Sequence, residues 1–297
     1  MDNQKTIAII GAGPGLGMAV ARRFGREGYR VGLLARNQQK LDGYAQELKG
    51  LGIDAAGFSA DVCDRPKLAA AIGRMKSHFG SIDALEYSPM ISFQDIHPVL
   101  SSDAESTQKH LDYQVLGAIV AVKNVIDDMI AKGDGILLFT TGASALGVVP
   151  SMGDCSIGVT ALRSYAYMLN VSLAPKGIYA GTLCIAAPLD NEHLANLYWD
   201  MGQKRDRVEE VYGIPSLLEA FDVLMAKGIT QFYPPKLLRD PPAPRDQRER
   251  NQLLLALSYL LKGAVLVENP AAESARINAL AQKYGGDLQK EHFGATA

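Results

Sequence analysis

A doubly wound parallel α/β sheet with a helical C-terminal extension is the fold class this sequence predicts. Two observations carry it. From Thr6 to about Ile185, short apolar runs alternate with amphipathic stretches, and parallel neighbours require such crossovers because a hairpin cannot join them. The chain also opens on an apolar strand, a glycine-rich turn and a helix, the start of a βαβ unit.

Taken in order, the pattern predicts a strand at Thr6–Ile10, a helix at Met18–Arg26, a strand at Val31–Ala35 and a helix at Gln38–Leu48. That last helix places Leu41, Tyr44, Ala45 and Leu48 on one face. A strand at Ala55–Ser59, a helix at Pro66–Phe79 and a strand at Ile82–Tyr87 follow. A long helix then runs from about Thr107 to Ile130, followed by a strand at Ile136–Thr140, a helix at Ile157–Leu173 and a strand at Tyr179–Ile185.

After about residue 188 the pattern changes. Leu189–Tyr212 reads as a polar helical segment holding the only tryptophan, Trp199, and its charge run Lys204-Arg205-Asp206-Arg207 reads as a solvated helix face. An apolar helix near Leu217–Met225, an exposed proline- and charge-rich connection at Pro234–Arg250 and an apolar helix near Gln247–Leu261 come next. The last helix starts at Asn269-Pro270 and stops near Gly285, an N-cap, a first-turn proline and a terminal glycine. Residues 1–212 are thus expected to form the sheet domain, and 213–297 an extension that packs on it or on a partner subunit.

Composition narrows the function classes. Thirty Lys and Arg against 32 Asp and Glu give a net charge of -2, so neither nucleic acid nor an anionic membrane is an expected partner. The longest apolar stretch, Leu253–Val267, is broken by Ser258, Lys262 and Gly263 and is too short to span a bilayer. The first strand begins about five residues from Met1, leaving no room for a cleavable leader. Cys63, Cys155 and Cys184 are odd in number, widely spaced and without a CxxC pair, so no disulfide framework and no metal site is expected. A cytoplasmic protein acting on a small molecule fits this balance.

The opening turn reads Gly11-Ala12-Gly13-Pro14-Gly15-Leu16-Gly17. Glycine suits backbone that takes positive φ or that a phosphate must approach, and the helix behind it offers unpaired amides. The spacing is GxxxGxG, from Gly11, Gly15 and Gly17, rather than GxGxxG. It resembles the short-chain dehydrogenase/reductase family, which implies a Rossmann-type sheet and a nicotinamide dinucleotide cofactor. Asp61-Val62 after the third strand, Gly117, and Lys176-Gly177-Ile178 agree, so the resemblance covers about residues 5 to 190.

The resemblance implies cofactor contacts from Gly11, Gly13, Gly15, Leu16, Gly17, Asp61 and Val62, and from Ser88 and Pro89, which stand in place of the family's Asn-Ala-Gly turn. Arg36 ends the second strand, where an acidic residue would bind both ribose hydroxyls of NAD. An arginine there suits a 2′-phosphate instead, so NADP (NADPH) is expected over NAD. Family members are commonly dimers or tetramers, which implies a homo-oligomer.

The family's catalytic Asn, Ser, Tyr and Lys are all replaced. Their positions fall on Gln114, Gly142, Cys155 and Val159, and neither Tyr165 nor Tyr167 has a Lys four residues on. Without the Lys charge, a tyrosine near its ordinary pKa of about 10 relays protons poorly at neutral pH. The remaining catalytic candidates are Cys155, as a thiol or as an inert apolar filler, Thr141 and Ser144 after the fifth strand, with Ser151 beyond them, and Gln114. Tyr198 and Trp199, with His193 and Asp200, fall in the family's substrate-covering segment, where they either face a flat ligand or pack that segment onto the sheet. An atypical oxidoreductase acting on a carbonyl, imine or enone, a non-redox enzyme such as a cyclase, isomerase or lyase, and a non-catalytic dinucleotide-binding protein all remain open at this point.

Overall fold

The computed structural model describes residues 4–89, 92, 95–147, 149–186, 190–213, 247, 250, 257 and 270–285. Seven strands, β1 (Thr6–Ile10), β2 (Arg30–Ala35), β3 (Ala55–Ser59), β4 (Ala84–Tyr87), β5 (Gly135–Gly142), β6 (Ile178–Ala186) and β7 (Glu209–Gly213), form one parallel sheet in the order β3-β2-β1-β4-β5-β6-β7. The order reverses at β1 and β4, where Ile7 pairs with Val31 on one side and with Ala84 on the other. A crevice for a ligand opens at such a reversal, beyond the carboxyl ends of the strands.

Helices cover both faces. On one side lie α1 (Leu16–Arg26), α2 (Gln38–Gly50) and α7 (Asn191–Lys204). They bury Met18, Phe24, Leu41, Leu48, Leu194 and Met201 against Ile7, Ile9, Leu33 and Leu138. On the other side, α3 (Arg65–Phe79), α5 (Gly117–Lys132) and α6 (Gly153–Leu173) press Ile72, Met75, Val122, Val125 and Leu162 onto Ala8, Leu85, Leu137 and Phe139. Alternate residues of each strand serve opposite cores, which is why the strands read as continuous apolar runs.

Two expected elements differ. The single helix at Thr107–Ile130 is instead α4 (Ala104–Leu111), a π-helical turn (Asp112–Leu116) and α5. The Tyr87 hydroxyl donates to the Tyr113 carbonyl at 2.5 Å, and a side chain at Gly117 would collide with that same hydroxyl. Tyr87 from the sheet thus wedges into the helix and satisfies a carbonyl in the widened turn. The second difference is at Leu189–Tyr212, where α7 ends at left-handed Arg205 (φ 52°) and the chain returns as β7 beside β6.

Glu209 of that edge strand takes the Arg163 guanidinium at 2.6 and 2.8 Å, and Arg207 pairs with Asp200, Asp206 and Glu210. Charges that read as a solvated helix face are ion pairs flanking a strand. The final helix, α8 (Pro270–Lys283), ends as expected at Gly285 with φ 75°. The expected helix at Leu217–Met225 lies outside the described residues, as do that at Gln247–Leu261 and the connection at Pro234–Arg250 apart from residues 247, 250 and 257.

Candidate functional site

The glycine turn fits a phosphate-bearing ligand. Gly11 has φ 104°, and the amides of Gly11 and Ala12 both donate to the Leu34 carbonyl. A Cβ at Gly11 would lie 2.5 Å from the Pro89 nitrogen and 2.7 Å from the Ser88 carbonyl carbon, so glycine lets the ends of β1 and β4 meet. At Gly17 a Cβ would press on Ala12 Cα at 3.0 Å, whereas at Gly13 it would meet only the Gly11 carbonyl oxygen, at 3.9 Å. The N-cap Gly15 offers no side chain to the first-turn amides of α1, and that turn holds no acidic residue. Leu16, the first helical residue, packs its side chain toward the core. The open amides of Gly15, Leu16 and Gly17 at this helix start could hold an anion such as a pyrophosphate.

At the far end of the crevice, Arg36 is exposed and makes no ion pair among the described residues. Asp61 accepts the Cys63 amide at 2.9 Å, and Val62 is buried against Gly117. Tyr113 lies close enough to Arg36, Asp61 and Cys63 to feel their charges, although burial is what chiefly pushes its phenol upward. An aromatic ring beside an arginine and a carboxylate suits a nucleoside, and the sequence pattern gave no hint of Tyr113.

Asn191, at the start of α7, is a second residue the sequence reading missed. Its Nδ2 lies 3.3 Å from where a Cβ of Gly15 would stand, and its Oδ1 is buried with no partner among the described residues. The available signal was its place two residues before His193, whose amide is capped by Asp190 at 3.1 Å.

Among the catalytic candidates, the structure brings Gln114 and Cys155 together. Gln114 sits in the π-helical turn and donates to Cys155 Sγ at 3.5 Å. Its side chain occupies the space left by Gly158. Burial pushes the Cys155 thiol up, against a smaller opposing effect of the Gln114 amide, so the sulfur stays protonated. Cys155 and Val159 belong to an apolar cluster with Ala145, Val149 and Met152, over which Ile96 packs.

Thr141 is directed elsewhere. Its hydroxyl meets that of Thr182 on the neighbouring strand at 3.0 Å. Ser144 is buried in a 3-10 turn (Ala143–Ala145), and Ser151 is buried in a second one (Pro150–Met152).

The expectation that Tyr198 and Trp199 face a substrate is corrected. Tyr198 is fully buried, its hydroxyl 2.5 Å from Thr140 Oγ1. Trp199 packs edge-on to Phe24 at 5.1 Å and lies under the Arg23 guanidinium. The amphipathic register of α7 turns both rings toward α1 and the sheet, which is the packing alternative the sequence had left open. Thr140 also donates to Glu86 Oε1 at 3.3 Å, and burial pushes this fully enclosed carboxyl up to about 8.

A polar cluster unread in the sequence stands beside Cys155. Asp154, in the first turn of α6, is completely buried. It accepts the His97 amide at 3.0 Å, His97 Nδ1 at 2.8 Å and the Cys155 amide at 2.8 Å. Burial alone would raise its carboxyl, but these bonds hold it below the ordinary carboxylate range. His110, also buried, directs Nε2 to the Asp95 carbonyl at 3.0 Å, with Asp154 Oδ1 at 3.4 Å. A lone histidine in a loop before proline carries no pattern, so only the fold reveals its partner. Among the described residues, no group of three or more His, Cys, Asp or Glu is arranged to hold a metal ion, and no helix is long and apolar enough to cross a membrane.

Comparison with known proteins follows the same lines. The human dehydrogenase/reductase SDR family member 4 is 27% identical over 235 residues, covering 77% of this chain and 80% of the relative. A metagenomic short-chain oxidoreductase in complex with NADP superposes with a TM-score of 0.65 at 16% identity, covering 70% of this chain and 95% of the other. L-Sorbose reductase from Gluconobacter frateurii, complexed with NADPH and L-sorbose, gives 0.64 at 19% identity, covering 68% and 90%. At these identities the two structures speak to the fold. The family model described as short chain dehydrogenase matches residues 5–189, and with the glycine cradle and sheet order this places the chain in the short-chain dehydrogenase family.

Proposed function

We propose that this protein is an NADP(H)-dependent oxidoreductase that reduces a small organic carbonyl, imine or enone without the family's tyrosine. The observation that carries the reading is the contrast between two halves of one crevice. Gly15, Leu16 and Gly17 keep open amides and Arg36 an unpaired guanidinium, whereas Cys155 and Val159, which the resemblance aligns with the family's Tyr and Lys, lie in an apolar cluster. The amides of the α1 first turn and Asn191 would hold the pyrophosphate, Arg36 the 2′-phosphate, and Asp61, Val62 and Tyr113 the adenosine, with Ser88 and Pro89 nearer the nicotinamide. When bound, the nicotinamide supplies a hydride, which is the cofactor's own chemistry. The protein's part is to bind, to orient the acceptor and to deliver a proton.

The experiment is a titration with NADPH and NADH, followed by cofactor absorbance against a panel of carbonyls, imines and enones. Tighter binding of NADPH and turnover of at least one acceptor are expected. Equal binding of both cofactors removes the role given to Arg36. Binding without any turnover favours a second reading, a non-redox enzyme or a dinucleotide-binding protein on this scaffold. The apolar packing of Val149, Met152, Cys155 and Val159 is the observation on its side.

The same reading includes a homo-oligomer in a reducing compartment, the cytoplasm. Cys63, Cys155 and Cys184 are free thiols, and Ile119 of α5 and Ile157, Met168 and Val171 of α6 are exposed apolar side chains.

A further inference from the structure

We propose that His97, oriented by Asp154, is the proton donor of this site; the inference rests on the redox reading above. Three observations carry it. His97 Nδ1 and its own amide both bind the fully buried Asp154 carboxylate, which fixes the ring from two directions. A ring that gives its Nδ1 hydrogen to a carboxylate leaves Nε2 to exchange the second proton, the division of labour by which an acid–base histidine works. The His97 side chain is 44% exposed, and Nε2 has no hydrogen-bond partner among the described residues.

Position is the third observation. Asp154 immediately precedes Cys155, and Ile96, immediately before His97, packs on the cluster that holds Cys155 and Val159. The loop is also pinned along the entrance to α6 by the Val99 amide, which donates to the Pro150 carbonyl at 2.7 Å. The side chains nearest to Asp154 are less suited to the work. Cys155 is a buried protonated thiol, the Gln114 amide does not titrate, and the His110 ring is fully buried with Nε2 spent on the Asp95 carbonyl.

The step balances simply. Hydride addition to a C=O or C=N carbon breaks the π bond and leaves the electron pair on oxygen or nitrogen. That atom takes the proton from protonated His97: the Nε2–H bond breaks, the O–H or N–H bond forms, and the neutral ring is reprotonated by water. The charged and titratable groups about the ring are Asp154 and Cys155 from α6, His110 and Lys109 from α4, and Asp95 and Asp103 from its own loop.

The test compares wild type, His97→Gln and His97→Ala with the acceptor found in the panel. His97→Gln should lower kcat by about 100-fold and flatten the pH profile of kcat. NADPH affinity, read by fluorescence titration, should stay within about twofold, because His97 is assigned no cofactor contact. Added imidazole should restore part of the activity of His97→Ala, a rescue that a merely structural role would not allow. In the cofactor-free protein, nitrogen NMR of the ring should show the neutral form protonated at Nδ1. An unchanged kcat and pH profile in His97→Gln, or a neutral ring protonated at Nε2, overturns the assignment alone. Absence of turnover by wild type overturns it together with the redox reading.

Discussion

The side-chain amide of Gln114 donates to the Cys155 thiol across 3.5 Å, and it reaches that sulfur only because residue 158 is glycine. A Cβ at position 158 would collide with Gln114 Oε1, and it would also stand 3.3 Å from the His110 carbonyl.

Gly158→Ala is therefore expected to destabilise the protein by about 1–3 kcal/mol from overpacking, despite the better helix propensity of alanine. Gln114→Ala removes the colliding atom, so the double variant should recover most of the loss. Urea midpoints of the four proteins form the cycle. Additive losses would mean that Gln114 does not occupy this space.

Thiol chemistry should separate the cysteines. Cys63 is exposed, whereas Cys155 and Cys184 are buried, and burial pushes Cys184 up to about 12. Brief iodoacetamide treatment of native protein at pH 8 should modify Cys63 alone, with the other two reacting only after unfolding. Rapid native alkylation of Cys155, read by peptide mass spectrometry, would make it the activated thiol that its surroundings argue against.

Arg36 makes a cleaner electrostatic prediction. Its guanidinium is exposed and unpaired among the described residues, so replacing it frees no buried partner. Arg36→Ala should weaken NADPH by roughly 10–100-fold, or ~1.4–2.7 kcal/mol, and leave NADH nearly unchanged. The NADPH effect should shrink as salt rises. Equal losses for the two cofactors would point to a disturbed strand end instead.

The outer face of α5 and α6 bears on assembly. Ile157, Met168 and Val171 lie at helical spacing on one side of α6, with Val171 74% exposed. If they are covered by a second copy, Met168→Glu with Val171→Glu should lower the mass measured by light scattering. An unchanged mass would place any oligomer contact elsewhere.

How much of this was legible follows from what each feature depends on. The inner strands β1, β2, β5 and β6 were readable because they are largely apolar on both faces, and the crossover helices because their buried positions repeat locally, as with Leu41, Ala45 and Leu48. The glycine turn was readable because its spacing is contiguous. The break in the long helix was not, since it depends on Tyr87, which meets Tyr113 only after the sheet has formed. The strand β7 was missed because Glu209-Glu210-Val211-Tyr212 is polar at an edge and draws its register from β6. Asp154 and His97 are 57 residues apart, and no period or motif joins them.

Glu86 yields the last prediction, a pH dependence whose sign is fixed by burial. Its carboxyl is wholly enclosed at the end of β4, with Thr140 on one oxygen and no partner among the described residues on the other. Desolvation raises its pKa to about 8, only partly opposed by the nearby Ser88 hydroxyl and the Thr140 hydrogen bond. In the unfolded chain a glutamate releases its proton near ~4.3. Between those values the folded state holds a proton that the unfolded state has lost, so unfolding releases it and stability falls as pH rises. The contribution is complete below the unfolded pKa and is exhausted once pH passes that of the folded protein. Glu86→Gln keeps the size and an uncharged acceptor but has no proton to lose. Its unfolding free energy from urea titrations should match wild type near pH 4.5 and exceed it increasingly up to pH 8, by on the order of a few kcal/mol. A gap that stays constant across this range would mean that the carboxyl is ionised in the fold, and that the space around it admits water or a cation.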